Sequence, residues 1–379
     1  MSAHPDQRAS LLTIGLLILL GVVTLPGGIG ELIARLHAPA MSTREADAVT
    51  AGYYEDLLDA TAVRGSTPTG LVRSMATRVD PPADWPRLHE TDGVIWDDDS
   101  YQRFTLRPGS VLDYKGAPLD VNSDGYRDRP FTARVEGGPR RIAIVGSSIT
   151  MGSGVPVEKT YENLLEDSLV ADGHAIEILN LAVAGYRGTQ LLDVVLESLE
   201  PMDVDAVLLV INDLTVNPRA MLHVARLLAE GRDPKYPFLA DLVERAGVVP
   251  GMNEEAILER LAPFNDEVNA WWIGSVAAWA RERDMPLALL IVPQPGTVEP
   301  LRRRVAGLHP IFEGLDVPVI SLYRSYDLVR DQSDLWLRPW DRHPTIEGHE
   351  LLHQALYGAI RKRSDLQDVL FGQETSDDD

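Results

Sequence analysis

The chain has 379 residues, 45% of them hydrophobic, enough for one large α/β domain with extra segments or for two domains. Its formal net charge of -22 argues against electrostatic attraction to nucleic acid or anionic lipid headgroups. It contains no cysteine, which excludes disulfides, a thiol nucleophile, Cys-ligated zinc and a lipidated cysteine, and leaves the redox compartment open.

The segment Ser10–Gly30 carries no charge and has about the 20 residues that a membrane-spanning helix requires. It is apolar on every face, unlike a core helix with one polar side. The denser part, Leu11–Leu25, also fits the apolar region of a secretory signal, and Ala38-Pro39-Ala40 resembles a cleavage site. Glu31 and Arg35 separate the two, so residues 1–35 are expected to be an uncleaved single-pass anchor, with a cleaved signal as the alternative. Arg8 on one side and Arg35 and Arg44 on the other leave the orientation undecided.

Residues 36–135 are read as a helical linker followed by a small strand-rich lead-in. Val49, Tyr53, Leu57 and Leu58 share one helix face, and 61–90 has linker composition. Short strands and turns are expected over 100–135, with a strong turn signal at Asn122–Gly125. From residue 136 the pattern changes. Apolar runs at 141–146, 175–183, 205–211, 286–292 and 317–322 alternate with amphipathic segments. Near-continuous apolar runs suit parallel strands buried on both faces. The alternation predicts a doubly wound α/β domain over 136–365, with a helical insertion near 214–270. Tyr161, Leu164, Leu165 and Leu169 form one helical stripe, and a last helix from about 345 to 362 carries Leu352, Leu356, Ala359 and Ile360. Residues 366–379 form an acidic tail.

In such a sheet, ligands sit beyond the carboxyl ends of the strands. The first strand ends in Gly146-Ser147-Ser148, the second leads to Gly185, and the third ends before Asn212-Asp213. Asp341 and His343 precede the last helix. A serine hydroxyl attacks only when a base takes its proton, and His343 with Asp341 behind it supplies one. The oxyanion of acyl transfer needs fixed donors. The Ser148 amide, the Gly185 amide at a tight turn and the Asn212 side chain provide three.

The order Ser, Gly, Asn, His resembles that of the SGNH hydrolases, the GDSL esterases and lipases. Their first block reads Gly-Asp-Ser-x-Thr, and here it is Gly146-Ser147-Ser148-Ile149-Thr150. The match spans roughly 140–362, and Val121–Phe131 is similar to a lead-in found in membrane-anchored bacterial members. The resemblance implies a flavodoxin-like parallel sheet and a serine esterase that needs no metal or organic cofactor. Ser148, His343 and Asp341 would form its triad, and Ser148, Gly185 and Asn212 its oxyanion hole. The implied partner is an acyl ester, with an acylated cell-surface polysaccharide among the candidates, and the implied location is periplasmic or extracellular. An acyltransferase on a glycan and a non-catalytic glycan-binding protein of the same fold are the alternatives. Two departures stand out: Ser147 replaces the usual aspartate, and the last block is Asp-x-His, with Trp340 at the -3 position.

Other readings are weaker. Gly152–Val155 lacks the remaining glycine and the lysine of a phosphate loop. His343, Glu347 and His349 do not have the His-Glu-x-x-His spacing of a metal helix, and Trp271 and Trp272 fit core packing better than sugar stacking.

Overall fold

The computed structural model describes residues 81, 82 and 84–372. Ser10–Gly30, on which the membrane expectation rests, the helix expected over 31–60 and residues 373–379 lie outside them. The tail expected from 366 is instead helical up to Phe371, because Leu366, Val369 and Leu370 are buried in the core. Among the described residues no helix is long and apolar enough to cross a membrane.

Two hairpins come first. β1 (Val94–Trp96) pairs antiparallel with β2 (Phe104–Leu106), and β3 (Val111–Tyr114) with β4 (Ala117–Asp120). The turn that follows is fixed by Asn122, whose Oδ1 accepts the amides of Asp124 and Tyr126 at 3.0 Å each. Gly125 takes the left-handed conformation that this turn needs, with φ +83°.

The α/β unit then runs β5 (Arg140–Val145), α1 (Ser148–Met151), α2 (Tyr161–Ala171), β6 (Ile176–Asn180), α3 (Gly188–Ser198) and β7 (Ala206–Ile211). Four helices follow: α4 (Asp213–Val216), α5 (Leu222–Ala229), α6 (Pro237–Arg245) and α7 (Glu254–Leu261). The long α8 (Asn265–Glu282) leads back to β8 (Leu287–Ile291), α9 (Val298–Leu315) and β9 (Val319–Ser321). A small antiparallel pair, β10 (Trp336–Arg338) and β11 (Asp341–Pro344), precedes α10 (Ile346–Ile360) and α11 (Ser364–Phe371).

The five-stranded sheet is parallel, in the order β6-β5-β7-β8-β9. This is the 2-1-3-4-5 arrangement of a flavodoxin-like doubly wound sheet. Side chains alternate between its two faces. Ala143, Val145, Val207, Leu209 and Leu289 pack with α3, α8 and α9 on one side. Ile142, Ile144, Leu208, Val210 and Leu290 pack with α2, α10 and α11 on the other. Both faces are therefore dry, which is why the strands read as continuous apolar runs. Leu165, Leu352 and Leu356 are fully buried in the second layer. Truncating any one of them to alanine costs about 2–5 kcal/mol in lost transfer energy and residual cavity.

Chain direction reverses its sideways growth between β5 and β7, so the crevice at their carboxyl ends is the switch point of the sheet. The lead-in reaches this region through Arg127. Its fully buried guanidinium donates to the carbonyls of Met151 (2.7 Å), Pro118 (3.0 Å) and Val155. One side chain thus ties the second hairpin to the loop after β5.

Candidate active site

The turn after β5 is shaped by steric necessity. A Cβ on Gly146 would meet Thr150 Oγ1 at 2.6 Å, so only glycine lets Thr150 fold back over the strand end. Thr150 Oγ1 in turn lies 3.0 Å from the Tyr161 hydroxyl on α2. The result is the one-turn helix α1, with Ser147 at its N-cap, Ser148 at its first position and Gly152 closing it at φ +77°.

The two serines have different surroundings. Ser147 is fully buried, and its Oγ accepts a hydrogen bond from Asn212 Nδ2 at 2.8 Å. Ser148 is 5% exposed at the start of α1. Asn212 caps α4: its Oδ1 accepts the Thr215 amide at 3.2 Å, and its own amide donates to Thr215 Oγ1 at 3.1 Å. The side-chain amide is therefore gripped at both ends. A carboxamide nitrogen has two hydrogens, and Ser147 takes one of them.

Gly185 lies in the turn after β6, with φ +91°, a conformation that disfavours any side chain. The turn sits beside that of β5, because the Val183 amide donates to the Gly146 carbonyl at 3.3 Å and the Ala184 amide approaches Met151 Sδ at 3.3 Å.

Asp341 and His343 lie on β11, which packs against α1. Residues two apart on a strand face the same side, so Asp-x-His is the spacing by which a strand aims both groups together. His343 Nδ1 is 2.5 Å from Asp341 Oδ1, which also accepts the His343 amide at 3.1 Å. Trp340, at the -3 position, packs edge-on against Trp85 with ring centroids 5.7 Å apart. The other Asp341 oxygen, Oδ2, accepts Trp85 Nε1 at 2.9 Å and lies 2.7 Å from Lys115 Nζ. Lys115 Nζ also lies 3.4 Å from His343 Nδ1. Burial would push the Asp341 carboxyl up. The Lys115 charge, the His343 ring and their hydrogen bonds outweigh it and hold the carboxyl well below its ordinary range.

Ser148, Gly185, Asn212, Asp341 and His343 thus fall on four turns or strands at one end of the sheet, near its switch point. Sequence reasoning missed Lys115, Trp85 and the grip of Ser147 on Asn212. Trp85 stood in a segment of linker composition, and Lys115 in an ordinary-looking hairpin turn.

No family model matches the sequence, and no curated protein matches it. Among solved structures the chain is similar to the psychrotrophic esterase EstA from Pseudoalteromonas sp., at 16% identity and a TM-score of 0.39, over 59% of this chain and 97% of that one. It is similar to a GDSL-like lipase from Bacteroides thetaiotaomicron, at 14% identity and a TM-score of 0.34, over 59% of this chain and 88% of that one. An acetyl xylan esterase matches at 14% identity and a TM-score of 0.39, over 58% of this chain and 99% of that one. All three are ester-cleaving enzymes by name.

Proposed function

We propose that the chain is a serine hydrolase that cleaves an acyl ester through an acyl-enzyme on Ser148. The observation that carries this reading is the strand β11, which aims an aspartate and histidine pair 2.5 Å apart and packs against the helix of Ser148. The Asp341 carboxylate keeps a proton on His343 Nδ1, which leaves the Nε2 lone pair to act as base. His343 takes the Ser148 hydroxyl proton as Oγ attacks the acyl carbonyl. The carbonyl electrons move to oxygen, and the Ser148 amide, the Gly185 amide and the second Asn212 Nδ2 hydrogen stabilise that charge. On collapse the C–O bond to the alcohol breaks and His343 returns the proton to the leaving oxygen. Water then repeats the sequence on the acyl-serine and releases the acid.

The uncharged segment Ser10–Gly30 supports an anchored arrangement. A location outside the cytoplasm, on acyl esters presented there, is supported only by the likeness of Val121–Phe131 to the lead-in of membrane-anchored bacterial members. The test is fluorophosphonate labelling of the intact chain with peptide mapping, followed by a panel of acetyl and longer-chain p-nitrophenyl esters. Labelling at Ser148 together with turnover of one ester class supports the reading. A folded chain that is not labelled at Ser148 refutes it.

A further inference from the structure

The hairpin β3–β4 has a two-residue loop, Lys115-Gly116, with Tyr114 opposite Ala117. Both loop residues have positive φ, +57° and +86°. This is the turn that favours Asn-Gly or Gly-Gly, because a side chain with a Cβ is strained in the left-handed region. A lysine is a poor choice for the turn itself. Its side chain is nevertheless buried, 8% exposed, and reaches Asp341 across 226 positions of sequence. The strain and the burial act together at one point, where the amine meets the carboxylate.

An ion pair here is a weak device for stability. Burying two charges carries a desolvation cost that their attraction does no more than offset. Its effect lies in direction. Asp341 has two oxygens and four donors: the His343 ring, the His343 amide, Trp85 and Lys115. With Lys115 and Trp85 on Oδ2, the carboxylate cannot rotate without breaking both contacts, and Oδ1 stays on His343. The hairpin tip is held in place in turn by the Arg127 bond to Pro118.

We propose that Lys115 is a positioning residue of the hydrolytic site: from the strained tip of the lead-in hairpin it fixes the Asp341 carboxylate, and through it the His343 ring. This inference rests on the serine hydrolase reading above. It makes the lead-in part of the acid–base machinery.

The experiment compares the intact chain with Lys115→Asn, Lys115→Met and Lys115→Arg, using a fluorophosphonate probe and p-nitrophenyl acetate. Lys115→Asn supplies the residue that the turn prefers, so the hairpin is retained while the amine is lost. The probe reports two quantities: the amplitude of labelling, which counts folded sites, and its rate constant, which reports how well the base is aimed. Loss of aspartate guidance costs a triad up to about 10⁴-fold, and loss of the group behind the aspartate is expected to cost about 10- to 100-fold. The expected result is full amplitude in the asparagine and methionine variants with that fall in rate constant and in kcat, KM little changed, and partial recovery in the arginine variant. Reduced amplitude at an unchanged rate constant would show a merely structural lysine and overturn the proposal, as would unchanged rates at full amplitude. If the parent chain itself is not labelled at Ser148, the hydrolase reading falls and takes this inference with it.

Discussion

Replacing Asp341 with asparagine changes one atom and sets the four donors around it against one another. In the parent chain each carboxylate oxygen accepts two contacts, His343 Nδ1 and the His343 amide on Oδ1, Trp85 Nε1 and Lys115 Nζ on Oδ2. An amide has one oxygen to offer. Turned toward His343, it points its NH₂ at a tryptophan N–H and a lysine ammonium, three donors with no acceptor between them. Turned toward Lys115, it points the NH₂ at His343 Nδ1, and the ring answers by holding its proton on Nε2. The second arrangement wins, because a hydrogen bond to a buried charge is worth about 1.5–3 kcal/mol, twice a neutral one. A histidine protonated on Nε2 cannot take the Ser148 proton. The expected loss in kcat is about 10⁴-fold, or roughly 5 kcal/mol of barrier. Stability should fall as well, by about 3–5 kcal/mol, because Lys115 loses its buried counter-charge. Single-turnover hydrolysis of p-nitrophenyl acetate reads the first effect and urea unfolding the second. Asp341→Asn retaining activity within about tenfold of the parent refutes the tautomer argument.

Other outcomes follow from the same geometry. Ser148→Ala should abolish both fluorophosphonate labelling and ester turnover, whereas Ser147→Ala should keep Ser148 reactive and lose about tenfold or less, the effect of one hydrogen bond on Asn212; mapping the labelled peptide in both variants decides between the serines. Asn212→Ala should lower kcat about 10²- to 10³-fold through the lost oxyanion donor and cost about 1 kcal/mol of stability through the lost helix cap, read by kinetics and thermal melting. Burial pushes His349 and His223 down from 6.5 to about 3. His349 Nδ1 accepts the Tyr161 amide and so carries no proton, whereas His223 Nε2 donates to the Tyr101 carbonyl at 2.7 Å, a bond that opposes the shift and is outweighed by burial. The unfolded chain binds their protons first, so stability should fall as pH drops below 6.5, by about 1.4 kcal/mol per pH unit for each ring. Raised buried carboxyls such as Asp128 and Glu162 act in the opposite sense, so the test is a difference: urea midpoints between pH 7 and 5 for the parent and for His349→Gln, where a flatter slope in the variant isolates His349 and equal slopes contradict its neutral-ring assignment.

The five parallel strands were legible because each is buried on both faces and reads as an uninterrupted apolar run. β5 and β7 are the clearest cases, with Ile142 to Val145 and Ala206 to Ile211 all buried. The helix faces followed from spacing, as with Leu352, Leu356 and Ile360 on α10. The stations Ser148, Gly185, Asn212 and His343 were legible because each stands at a strand end or before a helix, where a sheet of this kind presents polar groups. Asp341 was chosen as the carboxylate two residues before His343, while the short strand β11 that puts both side chains on one face was not read from the sequence. Lys115 and Trp85 were not legible. Each meets Asp341 across more than two hundred residues, and no local pattern encodes such a meeting. The serine in place of the usual aspartate looked like a loss in the motif; its place in the structure is as an acceptor for the amide of Asn212.

The Arg127 guanidinium has a consequence for how this polypeptide can be divided. It closes carbonyls from the hairpin and from the loop after β5 with a single rigid fork. A fragment cut at residue 136 would keep every member of the Ser-Gly-Asn-His order and still leave the Met151 and Val155 carbonyls without their donor. The upstream hairpins are a brace for the loop after β5, and recombination or truncation at that seam would separate Ser148 from the scaffold that holds its loop.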